Sequence, residues 1–372
     1  MWSGAWQAYR LRLKRRRLLW RALRARHALT PIADRSRAIR RGDILAFATV
    51  RNESARLGAF LDHYRRLGVA HFLFVDNDST DGGAEHLAAQ PDVSVWRSGA
   101  SYRAARFGMD WINWLLMRHG AGHWCLTVDA DELLVYPGHD SQPLPALTAW
   151  LDGAGVPAMA ALMLDLYPRG ALSRAASPHR GNSGGDSGAD PSADPSADPG
   201  ADPVAALGWF DAWGYDWCYL PRHRAISIRG GVRQRVFFAD RPELAPHLHK
   251  TPLVRWRRSY AYLSSTHVLL PRQLNVGFDA RLERPTGVLL HTKFLPEILA
   301  KSAEDRLRRE HFTHAERYDD YYRDILDDPD LWSPEAQRYE GWRQLAQLGL
   351  MQGGRWAGAG SGVESGAQTG VT

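Results

Sequence analysis

From residue 44 onward the chain alternates short apolar runs with amphipathic segments, and that rhythm carries most of its fold information. Ile44–Val50 is a continuous apolar run, as expected of a strand covered on both faces. Leu57, Phe60, Leu61, Tyr64 and Leu67 then recur at helical spacing, with Asn52 or Ser54 available as the cap and Gly68 as the terminator. Residues 71–75 read as a second strand, 85–90 as a short helix and 93–96 as a third strand. A helix over 104–118 and a strand over 123–128 complete the series. Strand–helix repetition at this pitch predicts right-handed crossovers and an α/β fold, a mixed, mostly parallel sheet flanked by helices.

The flanks of this region differ in character. Residues 1–40 interleave Trp2, Trp6, Leu11, Leu13, Leu18, Leu19, Trp20 and Leu23 with arginines. Two readings stay open there: a basic helix with aromatic anchors lying on an anionic membrane surface, or a solvated, partly disordered leader. Residues 173–206 contain an Ala-Asp-Pro near-repeat with little apolar surface to bury, which predicts a disordered insertion without chemistry. Beyond it come an aromatic stretch (Trp209 to Tyr219), a basic one (Arg229, Arg233, Arg235) and short strands near 263–270 and 288–294. Residues 296–350 read as helical, and the tail from 353 is rich in Gly, Ser and Ala. The expected division is a basic extension (1–40), a catalytic domain (41–300), a helical region (301–352) and a frayed tail (353–372).

Composition narrows the classes. The 372 residues are 44% hydrophobic and 24% charged, as in a soluble globular body. No apolar run approaches the length of a membrane span, and arginines interrupt any secretory core. Two cysteines, Cys125 and Cys218, are too few for a disulfide framework or a zinc cluster, which fits a cytoplasmic location. The net charge of +6 concentrates in residues 1–41, with no accompanying nucleic-acid motif, so a nucleic-acid partner is not expected.

Three polar clusters sit where the predicted strands end: 49–53, 76–81 and 129–132. In open α/β sheets ligands bind beyond the carboxyl ends of the strands, so this coincidence predicts an active site. If the chain stays extended there, Asp129 and Asp131 share one side, and two hard oxygen ligands suit Mn²⁺ or Mg²⁺. Asn77 to Gly82 could equally be a turn with a helix cap.

Taken in order, Val50-Arg51-Asn52-Glu53, the helix with His63, Tyr64 and Gly68, Val75-Asp76-Asn77-Asp78-Ser79-Thr80-Asp81-Gly82 and Val128-Asp129-Ala130-Asp131-Glu132 resemble bacterial family 2-like glycosyltransferases of the GT-A fold. The resemblance covers about residues 44–172 and extends more loosely to about 300. It implies a nucleotide-diphosphate sugar donor, a glycan or lipid-linked acceptor, and metal-dependent, inverting transfer. It also implies a nucleotide-sugar pocket of Thr49, Arg51, Asn52, Glu53, Asp76, Asn77 and Asp129, a metal held by Asp129 and Asp131, and His291 as a late metal ligand. Arg103, Arg106 and Lys293 could meet the phosphates, and surface solvation accounts for each equally well. An acceptor base must be a carboxylate within reach of the hydroxyl, for which Asp165, Asp211 and Asp216 are the candidates. The localisation expected is cytoplasmic, with peripheral contact at the inner face of a membrane through residues 1–40. Two other classes stay open: a sugar-phosphate nucleotidyltransferase, disfavoured because 48–54 lacks glycine, and a non-catalytic binding protein of the same fold.

Overall fold

The computed structural model describes residues 2–175, 202–308 and 319–356. Most of the Asp-Pro insertion and of the C-terminal tail therefore falls outside the described residues. The chain opens with helix α1 (Trp2–Ala25) and strand β1 (Thr30–Ala33), followed by β2 (Ile44–Val50), α2 (Ser54–Arg66), β3 (His71–Asp76), α3 (Gly83–Ala89), β4 (Val93–Arg97) and α4 (Met109–Leu115). Next come β5 (Trp124–Thr127), β6 (Glu132–Val135), α5 (Leu144–Gly153), β7 (Ala158–Asp165), α6 (Pro203–Leu207), β8 (Trp209–Phe210), β9 (Tyr215–Leu220), β10 (Ala225–Gly230) and α7 (Gly231–Phe237). The last part holds β11 (His249–Arg255), β12 (Ala261–Ser264), β13 (Val268–Leu270), β14 (Gly287–His291), α8 (Glu297–Arg308), α9 (Asp319–Leu326), β15 (Gln337–Arg338) and α10 (Trp342–Gln347).

Nine strands form one sheet in the order β1-β4-β3-β2-β5-β11-β7-β14-β6. Strands β2, β3, β4, β5, β7 and β14 run one way, and β1, β6 and β11 run the other. The sheet is thus mixed and mostly parallel. Both faces are covered, which is why β2, β3 and β7 are apolar along nearly their whole length. On one face Leu57, Phe60, Leu61 and Tyr64 of α2 pack over Ala46, Phe74 and Leu126. On the other, Trp111, Ile112 and Leu115 of α4 cover Phe47, Leu73, Val75 and Cys125. Each fully buried side chain of this size contributes about 2–3 kcal/mol.

Several local expectations need correction. The N-terminus of α2 is capped by neither Asn52 nor Ser54: the Asp81 carboxylate accepts from the Ser54 amide at 2.7 Å. Asn52 instead takes a left-handed φ of 50°. The helix expected over 104–118 begins only at Met109, because Arg106, Phe107 and Gly108 all have positive φ and break any helix there. It ends in a π-turn over Leu116–Gly120. Region 296–350 is not uniformly helical, since β15 lies between α9 and α10 and pairs with β8. Strand β11 was not expected at all, yet it lies in the middle of the sheet between β5 and β7. The N-terminal segment is not a detached leader either. Its helix α1 buries Leu11, Leu18 and Ala22, and β1 completes the sheet edge beside β4.

Candidate active site

The topology brings strand ends from across the sheet to one edge. The parallel strands β2, β3 and β5 finish there at Val50, Asp76 and Thr127, and β7 and β14 finish at Asp165 and His291. The reversed strands β11 and β6 start at the same edge, with His249 and Glu132. The three polar clusters are therefore neighbours in space.

On the β3 side, Asp76 is fully buried. Its Oδ2 accepts from the Ser79 amide at 3.2 Å and lies 3.8 Å from the Arg97 guanidinium, while Oδ1 has no partner. Asn77 donates to the carbonyls of Ser98 (2.7 Å) and Ala100 (3.1 Å), and its Oδ1 is likewise buried and unpartnered. Thr49 adds a third buried oxygen without a partner. An unmet polar atom in a protein interior costs about 1–3 kcal/mol, and three such oxygens gather around this strand end. The neighbouring loops are stitched together: Arg51 donates to the carbonyls of Asn77 (2.5 Å) and Asp78 (2.9 Å), and the Asn52 side chain accepts from the Thr80 amide at 2.9 Å. Helix α8 lies across them. Glu304 accepts from Arg51 (2.9 Å) and Asn52 (3.1 Å), and Lys301 pairs with Glu53. Arg51, Asn52 and Glu53 are thus engaged in holding α8.

On the other side, residues 128–131 carry the chain from β5 across to β6. They do not continue an extended strand: the Glu132 amide donates to the Asp129 carbonyl at 3.1 Å, closing a turn. Asp129 and Asp131 consequently face different partners. Asp129 pairs with Lys250 at 2.9 Å. Lys250 also reaches Glu132, whose other oxygen accepts from the Asp129 amide at 3.1 Å. Glu132 is therefore completely buried within this group. Burial pushes the Glu132 carboxyl up to about 7 against the pull of Lys250. Burial also works against the Lys250 ammonium, but Asp129 and Glu132 raise it above its ordinary value.

Asp131 faces His291 instead, 3.1 Å from Nε2, and its backbone carbonyl accepts from the Thr292 amide at 2.7 Å. Nδ1 of His291 lies 2.5 Å from Asp165, whose second oxygen accepts from Arg233 of α7 at 2.7 Å. Burial opposes ionisation of Asp131, yet His291, Arg56 and Lys293 hold its carboxyl well below the usual range. Burial alone would lower His291, but Asp131 and Asp165 hold it above its ordinary value. The result is an alternating chain of charge, Asp131–His291–Asp165–Arg233.

The other expected residues are placed as follows. Asp165 closes β7, and Arg233 and His291 engage its two oxygens, so neither is free to meet an acceptor hydroxyl as arranged. Asp211 is held by Arg235 at 2.9 and 3.0 Å and by the Tyr167 hydroxyl, which removes it as a free base. Asp216 is exposed on β9, 3.4 Å from the Gln234 amide. Arg106 is committed to Asp110 (3.0 Å) and to the Tyr262 and Leu263 carbonyls, a structural clasp rather than a phosphate contact. Arg103 is exposed in the turn before α4. Lys293 is half-buried and acts on Asp131.

The donor set does not fit a resident Mn²⁺ or Mg²⁺ as arranged. Among the described residues, no three His, Cys, Asp or Glu side chains converge as a metal-holding group. Lys250 already neutralises Asp129, and an imidazole with a carboxylate at each nitrogen favours its doubly protonated form, which has no lone pair to give. The pattern of the chain does not mark Lys250 or Arg56 as site residues, and it shows Arg233 only as part of a basic stretch. Arg56 shows one signal: it lies four residues before Phe60, on the apolar stripe of α2, and is buried against Glu53 at 2.7 Å.

Fold and site together define an α/β protein of Rossmann-like organisation with a polar site at its carboxyl edge. No protein-family model matches the chain, and no curated protein sequence matches it. A solved structure of 4-diphosphocytidyl-2C-methyl-D-erythritol synthase is similar at 21% identity over 42% of this chain and 71% of that one. Its TM-score of 0.23 carries no functional argument.

Proposed function

We propose that the protein transfers a sugar from a nucleotide-diphosphate donor to an acceptor hydroxyl. One observation carries this reading: the buried, unpartnered oxygens of Asp76 and Asn77 at the end of β3, which suit the N–H and O–H donors of a nucleobase and ribose. Lys293, beside Asp131, is a cation for the diphosphate, and the ionised Asp131 accepts from sugar hydroxyls. His291, Asp165 and Arg233 hold that carboxylate in place.

On the acceptor side we favour Asp216, because Asp165 and Asp211 are ion-paired to Arg233 and Arg235 whereas Asp216 meets only the Gln234 side-chain amide at 3.4 Å among the described side-chain contacts. It shares β9 with the exposed Trp217 and lies near the exposed Trp213, rings suited to stacking on a sugar face of a glycan or lipid-linked acceptor. A divalent cation would join this site only if Lys250 withdrew from Asp129.

The test is thermal denaturation with UDP, GDP, CDP and their sugar conjugates, with and without Mn²⁺. At least one nucleotide diphosphate should raise Tm, and Asp76→Ala should abolish the rise. Product analysis must then find a nucleoside diphosphate; pyrophosphate release would mark a nucleotidyltransferase instead. A Tm unmoved by every nucleotide would remove the proposal.

A further inference from the structure

Helix α1 has two unlike faces. Leu11, Leu18 and Ala22 are buried, in part against Ala261 and Leu270 of the β12–β13 hairpin, and Arg21 is pinned to Asp110 at 2.7 Å and to the Ala104 carbonyl at 2.8 Å. At about 100° per residue these three apolar positions span an arc of roughly 40°. Trp6, Tyr9, Leu13 and Trp20 fall within roughly 60° of one another on the opposite side. They are 60%, 50%, 43% and 65% exposed, where a solvent-facing helix surface would be polar. Exposed Arg10 and Arg17 border one edge of this stripe and Arg12 and Arg16 the other, and α1 contains no acidic residue.

A second feature adjoins it. A groove of about 510 Å³ runs between α1 and the segment after β13, with Leu11, Leu270 and Pro271 among its apolar walls and Arg12, Arg15 and Arg272 as its cations. Nε of Arg15 is buried without a hydrogen-bond partner. Partial burial, then the nearby Arg222, Arg106 and Arg17, lower the Lys14 ammonium, a crowding of cations that anionic neighbours would relieve.

We propose that α1 is an interfacial anchor: its aromatic stripe enters the headgroup region of a bilayer containing anionic phospholipid, and the flanking arginines and the groove take the lipid phosphates. Such a helix lies in the membrane plane, and no described helix is long and apolar enough to cross a membrane. A second copy of α1 is the poorer occupant, because stripe-to-stripe pairing would set arginine against arginine. The anchor does not depend on the transfer reaction proposed above.

The test uses the full chain and co-sedimentation with vesicles of phosphatidylcholine alone or mixed equally with phosphatidylglycerol. Binding to the anionic vesicles should be at least ~10-fold tighter and should weaken with salt. The W6E/W20E variant should lose at least ~10-fold in that binding, and R10Q/R12Q/R16Q/R17Q should lose preference for the anionic lipid. Both change exposed side chains, so their urea midpoints should match the parent protein. Absent or lipid-indifferent binding, or full binding by W6E/W20E, overturns the anchor. Lipid-free dimers that W6E/W20E dissolves would assign the stripe to a second copy and overturn it equally.

Discussion

Asp165 and His291 stand 126 residues apart in sequence yet meet at 2.5 Å, Oδ1 to Nδ1, from register-paired ends of the parallel neighbours β7 and β14. Arg233 closes the other side of Asp165, so this carboxylate is the hinge of a buried charge chain leading to Asp131. Asp165→Asn should therefore destabilise the protein by about 3–5 kcal/mol, because it leaves the Arg233 guanidinium buried without its counter-charge. Adding Arg233→Met should recover part of that loss. Urea denaturation of the two single variants and the double variant checks the coupling. Independent, additive losses would mean that the pair contributes nothing beyond its packing.

Gly108 places a second demand on the site. Its φ is +75°, and a Cβ built there would lie 2.7 Å from Thr49 Oγ1. Gly108→Ala should cost about 1–3 kcal/mol, from the left-handed backbone and the displaced threonine together. Thermal denaturation reads the cost, and an unchanged Tm would show that the turn before α4 relaxes freely.

The elements that were legible in the chain are those whose signal is local. Strand β2 matches its apolar run at both ends, and α2 ends before Gly68, whose φ of +94° favours glycine. Strand β11 was hidden because its opening residues, His249, Lys250 and Thr251, are polar and Pro252 lacks an amide hydrogen. The sheet accepts the proline where the register against β7 shifts, between Lys250 and Leu253. The site divides in the same way. Asp76, Asp129 and Asp131 sit in clusters that can be read along the chain. Their partners cannot: Lys250 is 121 residues from Asp129, and Arg233 is 68 from Asp165. Nothing at position 250 marks a lysine that will be buried. The assumption of an extended chain through residue 131 failed for a related reason, since the turn is held by Thr292, 161 residues away.

Buried histidines should set the acid limit of the fold. Burial pulls His63 down to about 4, and burial with Arg229 nearby does the same to His247. His249 falls to about 3, chiefly through burial and then His247 and Arg229. Each is neutral in the folded state and has an ordinary value of about 6.5 when unfolded. Below pH 6.5 these three sites bind protons in the unfolded chain that the native state refuses, so the stability they contribute is complete above that value and falls progressively toward pH 4. Each histidine contributes a slope of up to about 1.4 kcal/mol per pH unit in that window. Urea midpoints at pH 7.5, 6, 5 and 4.5 should trace the decline, and His63→Gln should make it shallower. A midpoint constant from pH 7.5 to 5 would contradict these assignments.

Lys250 offers the sharpest test of the strand-edge electrostatics. Its ammonium is almost completely buried and is shared by Asp129 and Glu132, the first half-exposed and the second wholly enclosed. Lys250→Met preserves length and apolar bulk but strands the Glu132 carboxylate, so a loss of about 3 kcal/mol or more is expected. Glu132→Gln alone should cost less, because the lysine keeps Asp129. Combining the two should be milder than the sum, since the methionine then faces a neutral amide. Asp129→Asn should be the least harmful of the set, because solvent already screens that carboxylate. The ordering Lys250→Met, then Glu132→Gln, then Asp129→Asn, read from urea denaturation, distinguishes a lysine that neutralises a buried acid from one that serves only its exposed partner. If Asp129→Asn proved the most damaging, the enclosed Lys250–Glu132 pair would not be the dominant charge pair at this strand edge.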